Sequence, residues 1–338
     1  MNNMTKTMKS NEETVKLSAQ LLKENTKWKV VYSEYAEAIK KNSASYKEYA
    51  KKFRKPSSLI VYTSISRLKS SYDYIYDLRF GGQSVGKIEG KEYEQPFLTV
   101  SEDQAKGICK ILGREKFGYF NKVSWSHDNR AKEFRKLFNE IKPTKNLGLH
   151  SKEHRIESKI LEEFGKSGRD KLLRNIRPIR LGGKFFQLIT PLKGSTHEPA
   201  ISTHGNGGGI DILARVTHKN NERRIAVIEL KDENKPSEPQ AEVMKQALIY
   251  ATFIAYLLRS ESGNTWWNIF EESNNVPANL HLDVVTLMPK GNSNEGSLDD
   301  IAIKELNATL HLYTLYYGVN TEGNPNNLEG KFVETLKK

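Results

Sequence analysis

Three charged residues on a short apolar hairpin are the part of this sequence best suited to chemistry. Asp211 opens one apolar run, and Glu229-Leu230-Lys231 ends the next run after a turn at Lys219 to Glu222. Taking an isolated carboxylate out of water is costly, so buried charges are usually paired with each other or bound to a metal. We therefore interpret the hairpin as a candidate site.

The hairpin register decides whether these charges can meet. Side chains alternate along a strand, so Val227, Glu229 and Lys231 share one face. A connecting loop of three or five residues sets Asp211 opposite Glu229. An even loop without a bulge would instead oppose Asp211 to Leu230 and turn Glu229 to the other face. The site hypothesis thus predicts an odd loop.

Two facing carboxylates repel each other unless a cation lies between them. Asp211, Glu229, the backbone carbonyl of Leu230 and water would form an all-oxygen ligand set, which suits Mg²⁺ or Mn²⁺. Such an ion activates water and polarises a phosphoryl oxygen, while Lys231 orients the nucleophile or stabilises transition-state charge. This combination predicts phosphodiester hydrolysis.

The Glu-x-Lys triplet alone carries little weight, since it recurs at Glu89/Lys91, Glu140/Lys142, Glu157/Lys159, Glu233/Lys235 and Glu329/Lys331. Only the triplet of Glu229 and Lys231 ends a β-branched apolar run. Only there does another acid, Asp211, lie on the preceding strand of the same hairpin. The alternative is an ordinary amphipathic pair whose charges form surface salt bridges. The agreement of register, burial and flanking helices favours the metal site.

Two helices are expected to complete the site. A helix over 149–164 would carry Glu153 and Glu157 within or beside its apolar face. After the hairpin, Ser237 to Gln240 forms a capping-box pattern, and the helix it opens carries Gln246 and Tyr250 on one face. A polar residue there can hydrogen-bond the attacking water or the scissile phosphate.

These residues resemble the PD-(D/E)XK nuclease superfamily, also called the restriction-endonuclease-like fold. The resemblance covers roughly residues 150–290, and Gln246-Ala247-Leu248-Ile249-Tyr250 is similar to the helix motif of its RecB-like and Mrr-like branches. It implies a central mixed sheet flanked by helices. It also implies a Mg²⁺ site built from Asp211, Glu229 and Lys231, with Glu153 or Glu157 as the first-helix acid. Ile210 stands where the nominal motif has proline.

Composition indicates a globular protein with an anionic partner. The net charge of +12 and the pI near 9.4 point to nucleic acid first and to an acidic membrane surface second. Cys109 is the single cysteine, which excludes an intramolecular disulfide and fits a reducing compartment. The apolar run from Ala247 to Leu258 is too short to span a bilayer and predicts a core helix. We expect a cytoplasmic protein without a membrane anchor.

The expected fold class is α/β, with a restriction-endonuclease-like core preceded by a separate α+β domain. Residues 1–10 are expected to be a disordered tail, 11–148 the α+β domain, 149–320 the nuclease-like domain and 321–338 a polar tail. Patterns within these ranges predict helices over 11–53, 101–113 and 128–141, strands over 59–88, 176–179, 185–189 and 281–288, and a helix followed by a strand over 298–318.

Four further features have a structural and a functional interpretation. The basic cluster Lys51, Lys52, Arg54 and Lys55 suits a helix end better than a phosphate patch. The row Tyr72, Tyr74 and Tyr76 suits aromatic packing better than base stacking. His197 and His204 lie in a loop without a third ligand spacing and are expected to be bystanders. The glycines from Gly207 to Gly209 would let another backbone approach closely.

The resulting functional hypothesis is a Mg²⁺-dependent endodeoxyribonuclease, with Mn²⁺ as the other candidate ion, acting on DNA in restriction or phage defence. The N-terminal domain would bind DNA or sense a foreign feature. The alternatives are a non-catalytic nucleic-acid-binding protein that retains the fold and an RNA nuclease. By analogy alone, cutting both strands would favour a homodimer.

Overall fold

The computed structural model describes residues 10–64, 72–91, 93–113, 115–141, 152–166, 172–202, 207–232, 238–271, 275–291 and 296–337. The protein is mixed α/β. Its helices are α1 (Asn11–Glu24), α2 (Lys27–Lys51), α3 (Glu102–Leu112), α4 (Asn129–Glu140), α5 (Lys152–Gly165), α6 (Gln240–Leu258), α7 (Gly263–Glu271) and α8 (Lys331–Thr335).

Two larger sheets and one short pair of strands form the β structure. The strands are β1 (Ile60–Ser64), β2 (Tyr74–Phe80), β3 (Gln83–Gly90), β4 (Phe97–Val100), β5 (Phe120–Ser124), β6 (Ile176–Pro178), β7 (Arg180–Leu181), β8 (Lys184–Phe186), β9 (Leu192–Lys193), β10 (Ala200–Ile201), β11 (Ile212–Thr217), β12 (Arg223–Leu230), β13 (Leu280–Pro289), β14 (Ile301–Ile303), β15 (Ala308–Val319) and β16 (Pro325–Glu329).

The first sheet has the strand order β5-β4-β3-β2-β1-β8-β7. Its pairs are antiparallel except for β1 and β8, which run parallel. Strands β7 and β8 come from residues beyond the expected boundary at 148, so the first sheet draws on both sides of it. The side chains of Tyr74 and Tyr76 are buried in this sheet, where they pack on Tyr49 and Phe53. Tyr74 and Tyr76 are therefore core residues, whereas Tyr72 precedes β2, is half-buried and has Lys122 over its ring at 5.2 Å.

The second sheet positions the candidate site. Its order is β14-β15-β13-β12-β11-β6, with β16 pairing β15. Strands β6, β11 and β12 lie side by side, and each neighbouring pair is antiparallel. The chain then passes through α6 and returns as β13, which lies parallel to β12 and to β15. The sheet is thus mixed, as expected.

Helices cover both faces of β12. Ile225 and Val227 join the hydrophobic cluster that contains most of α6, while Ala226 and Ile228 join the cluster that contains Ile156 and Ile160 of α5. This alternation follows from the period of two along a strand. Helix α6 is long and apolar enough to cross a membrane, but 89% of its most apolar window is buried inside the protein, so it is a core helix.

Several local predictions are confirmed. Ser101 and Gln104 form the expected capping box of α3, Asp128 caps α4, and the strand over 281–288 is β13. The helix over 149–164 is described from Lys152 onward, and residues 142–151 lie outside the described part.

Other local predictions are wrong. Residues 298–318 form β14, a short 3-10 turn and β15 rather than a helix and a strand, because β14 pairs antiparallel with β15 where the pattern predicts a helix. Helix α6 begins at Gln240 with Pro239 before it and no side-chain cap. Ser237 lies outside the described residues. The polar segment after 320 contains β16 and α8, which pack on β15.

Candidate metal site

The hairpin adopts the register that the site hypothesis requires. Ile212 pairs with Ile228 and Thr217 with Arg223, and the connecting loop from His218 to Glu222 has five residues. Continuing this register by one step sets Asp211 opposite Glu229. The Leu230 amide donates a hydrogen bond to Asp211 Oδ2 at 2.9 Å and fixes that carboxylate across the hairpin. The predicted odd loop is confirmed.

Three acids converge at this end of the sheet. Glu153 of α5, Asp211 before β11 and Glu229 of β12 each offer a carboxylate oxygen, and these atoms lie within 4.8 Å of one another. Glu229 is buried, whereas Glu153 and Asp211 are half-buried. The Oε2 atom of Glu229 has no hydrogen-bond donor among the described residues. The cluster could hold a metal ion.

Lys231 lies beside this cluster on the same strand face as Glu229. Its Nζ atom donates to Glu229 Oε1 at 2.9 Å and lies 3.8 Å from Glu153 Oε1. Its backbone is held in place, because the amide donates to the Leu287 carbonyl and the carbonyl accepts from Tyr317 Oη. One buried cation therefore faces three acids, which leaves the cluster with excess negative charge.

The electrostatics reflect that imbalance. Burial raises the pKa of Glu229 to about 7, against the lowering effect of Lys231. Burial and then the charge of Glu229 raise the pKa of Asp211 well above its ordinary value. Burial lowers the pKa of Lys231, but Glu229, Glu153 and Asp211 outweigh burial and raise it, so the ammonium stays charged. A cation would relieve the repulsion between the acids.

The structure separates the two acids of α5, which the sequence left as alternatives. Glu153 belongs to the acid cluster, whereas Glu157 is fully buried one turn along the helix and does not. Glu157 Oε1 accepts from Tyr62 Oη at 3.3 Å and lies 3.9 Å from Arg79 Nη1, and its Oε2 lies 3.3 Å from His154 Nδ1. Glu157 therefore connects the site to the first sheet.

Gln246 and Tyr250 lie on α6 as expected, and Tyr250 is close enough to Glu229 for that charge to raise its pKa. Burial is the larger cause, and the pKa of Tyr250 reaches about 12. A Cβ built at Gly208 would overlap Tyr250 Oη, and one at Gly207 would overlap the Leu192 carbonyl. The close approach of another backbone is therefore confirmed at Gly207, whereas at Gly208 a side chain approaches instead.

The remaining predicted residues contribute less directly. The Leu230 carbonyl stays a predicted ligand. The contact that Leu230 makes with the acid cluster is the hydrogen bond from its backbone amide to Asp211. His197 joins a loop to α6, because Nδ1 lies 3.0 Å from the Glu242 carbonyl and Nε2 lies 3.3 Å from Glu238 Oε1. His204 lies outside the described residues.

Arg79 of β2 is the neighbour that sequence reasoning missed. Its guanidinium stacks over the Tyr62 ring at 4.0 Å, pairs with Asp77 at 2.7 Å and donates to Gln187 Oε1 at 2.7 Å, besides facing Glu157. No spacing along the chain connects Arg79 with Glu157. Only the packing of α5 against the first sheet brings them together.

In comparisons with known proteins, no family model, no curated protein and no solved structure matches this chain.

Proposed function

We propose that this protein is a divalent-metal-dependent nuclease of the PD-(D/E)XK type that hydrolyses phosphodiester bonds of DNA. The observation that carries the proposal is the convergence of Glu153, Asp211 and Glu229, with Lys231 bonded to Glu229, at one end of a mixed sheet. Three acids that could hold a divalent cation, beside a charged lysine, can supply the activated water and the charge stabilisation that phosphodiester hydrolysis uses.

The donor set fits a hard divalent cation. Carboxylate oxygens are the ligands that Mg²⁺ and Mn²⁺ take in proteins. The buried Oε2 atom of Glu229 lacks a donor among the described residues, and burial is the main cause that raises the pKa values of Asp211 and Glu229, so a cation between them would offset the cost of burying their charges. Glu153, Asp211 and Glu229 would hold the ion, which when bound supplies Lewis-acid activation of water and phosphate.

The chain's own residues would then orient the nucleophile and stabilise the charge of the transition state. Lys231 stays protonated beside the acids, so its ammonium can hold the nucleophile in line or offset the charge that builds on the phosphate. The Leu230 amide keeps Asp211 turned toward Glu229. Gln246, at the α6 face beside Tyr250, can donate a hydrogen bond to a scissile phosphate oxygen.

The topology around the cluster supports the resemblance. The first-helix acid lies on α5, one acid immediately precedes β11, and the other acid lies on β12, with the lysine directly after that strand. Helix α6 then crosses to β13, which runs parallel to β12. Chance placement of Glu229 and Lys231 on an amphipathic hairpin would not bring Glu153 to the same point.

A substrate panel tests the proposal. Supercoiled plasmid, linear duplex DNA, single-stranded DNA and RNA are incubated with the purified protein and Mg²⁺, Mn²⁺ or EDTA, and the products are separated on gels. We expect metal-dependent cleavage of DNA that EDTA abolishes. Cleavage of RNA alone would reassign the substrate, and cleavage of none with either ion would contradict the nuclease proposal.

A further inference from the structure

A surface of four basic residues lies at the far end of α5 from the acid cluster. Arg54 and Lys55 follow α2, and Arg180 and Lys184 flank the β7–β8 turn. We call these four residues the basic surface. Arg54 and Arg180 are exposed, and Lys55 and Lys184 are half-buried.

Two elements distant in sequence build this surface. Lys184 Nζ lies 5.9 Å from the centre of the Phe53 ring. Phe53 directly precedes Arg54 and Lys55 in the chain, so this contact brings Lys184 to them. Arg180 Cζ lies 4.8 Å from the Phe185 ring centre, and its Nη2 donates to the Gly165 carbonyl at 3.4 Å. The aromatic rings and the end of α5 therefore hold the cations on one side of the molecule.

Helix-end chemistry explains only part of the basic cluster at 51–55. Lys51 closes α2 and pairs with Glu48 at 2.7 Å, and Lys52 covers the Tyr49 ring at 5.3 Å. These two residues complement the end of the helix, as expected. Arg54 and Lys55 lie beyond the helix, where its dipole does not account for them.

The charges of the basic surface are not balanced locally. In the described part of the chain none of its four residues forms an ion pair, and burial lowers the pKa of Lys55 although the nearby charge of Glu162 acts in the opposite direction. Burial lowers the pKa of Lys184, and the nearby charges of Lys55 and Arg180 lower it further. Crowded cations that hold no acid are suited to a polyanion.

We infer that the basic surface binds the phosphate backbone of duplex DNA whose scissile bond lies at the acid cluster. This inference rests on the proposed nuclease function. The thirteen residues from Glu153 to Gly165 span about 18 Å of helix, which matches about five base pairs along a duplex. A single bound duplex is long enough to reach both places.

Binding without cleavage tests this inference. Fluorescence anisotropy of a labelled duplex, in EDTA over a salt series, compares the wild type with Arg54→Gln/Lys55→Gln/Arg180→Gln/Lys184→Gln. Because each lost phosphate contact lowers the log–log salt slope by about 0.9, we expect the slope to fall by about 3.6 and affinity at moderate salt to fall more than about tenfold. Lys16→Gln/Lys29→Gln/Lys106→Gln/Lys110→Gln, which removes the same charge from α1, α2 and α3, should keep the wild-type slope.

The outcomes separate this inference from the proposed function. If both four-residue variants lose DNA affinity equally, or if the basic-surface variant keeps the wild-type salt slope, the basic surface is not the DNA-binding site. The proposed DNA binding and cleavage would still stand. If the wild-type protein binds labelled RNA but not duplex DNA, or binds neither, both this inference and DNA as the proposed substrate are wrong. Arg54→Gln/Arg180→Gln changes only exposed side chains, so it should fold and lower the slope by about 2.

Discussion

Lys231 Nζ and Glu229 Oε1 form a buried ion pair at 2.9 Å on one face of β12, two residues apart, with Glu153 and Asp211 beside them. Both partners are less than 6% exposed. A buried pair of this kind is costly to build and more costly to break. Its place within an acid cluster gives the cost a functional explanation, because lysine and cation would together balance the acids.

Metal affinity should rise with pH. Because the pKa of Glu229 is raised to about 7, a proton occupies the site below that value and must leave before a cation binds. We expect Mn²⁺ affinity, measured by isothermal titration calorimetry, to increase from pH 5 to 8 by up to about tenfold per pH unit for each proton that Glu229 and Asp211 must lose. Flat affinity over this range would contradict a carboxylate site.

The stability of the metal-free protein should change in the opposite sense. A folded-state pKa above the ordinary carboxylate value means that the folded protein binds the proton more tightly than the unfolded chain does. The Glu229 contribution is therefore present at low pH and lost as pH rises through 7. Thermal unfolding in EDTA should show Glu229→Gln gaining stability relative to wild type as pH increases from 5 to 8.

Lys231 should matter for the rate more than for metal binding. Replacing Lys231 by Met removes the ammonium from the cluster but no carboxylate oxygen, so Mn²⁺ should still bind at pH 8. Cleavage should fall by about 100-fold or more, as when a charge-stabilising group is lost. Lys245→Met is the matched control, since Lys245 is equally buried and pairs with Glu242 at 2.9 Å outside the acid cluster. Equal losses of cleavage in both variants would assign Lys231 a structural role.

Glu153 and Glu157 should respond differently to the same change. Glu153→Gln removes a ligand and should weaken Mn²⁺ binding by at least about tenfold with little effect on folding. Glu157→Gln should keep metal binding within a few-fold but lower the melting temperature, because Glu157 contacts Tyr62, Arg79 and His154. Calorimetry and thermal unfolding of both proteins decide the matter, and the reverse pattern would make Glu157 the ligand.

The packing of Tyr250 against Gly208 should be essential for the loop before Asp211. Gly208→Ala places a Cβ where Tyr250 Oη lies, which should destabilise the protein by about 1–3 kcal/mol, the usual cost of overpacking. Gly118→Ala is the control, because its Cβ would meet nothing within 4 Å. Chemical unfolding measures both, and Tyr250→Phe should recover part of the Gly208→Ala loss. A stable Gly208→Ala protein would refute the close approach.

The candidate site was more predictable than the fold around it. Asp211 and Glu229 could be paired from sequence because a hairpin register depends on local alternation and loop length. The pairing of β1 with β8 joins residues more than a hundred positions apart, and nothing local specifies it. For the same reason the contact of Arg79 with Glu157 had no sequence signal. The helix predicted within residues 298–318 is wrong because the pairing of β14 with β15, rather than the local periodicity, decides the conformation there.

The most direct test of the metal site is the rate of DNA cleavage by Asp211→Asn in Mg²⁺ and Mn²⁺. Asp211 accepts the Leu230 amide and faces Glu229, so the amide variant keeps the shape of the site but loses a charged ligand. Asp300→Asn, which alters the exposed partner of His311, is the control. We expect metal-dependent cleavage by the wild type and by Asp300→Asn, and none by Asp211→Asn. Cleavage by Asp211→Asn at the wild-type rate would contradict the site.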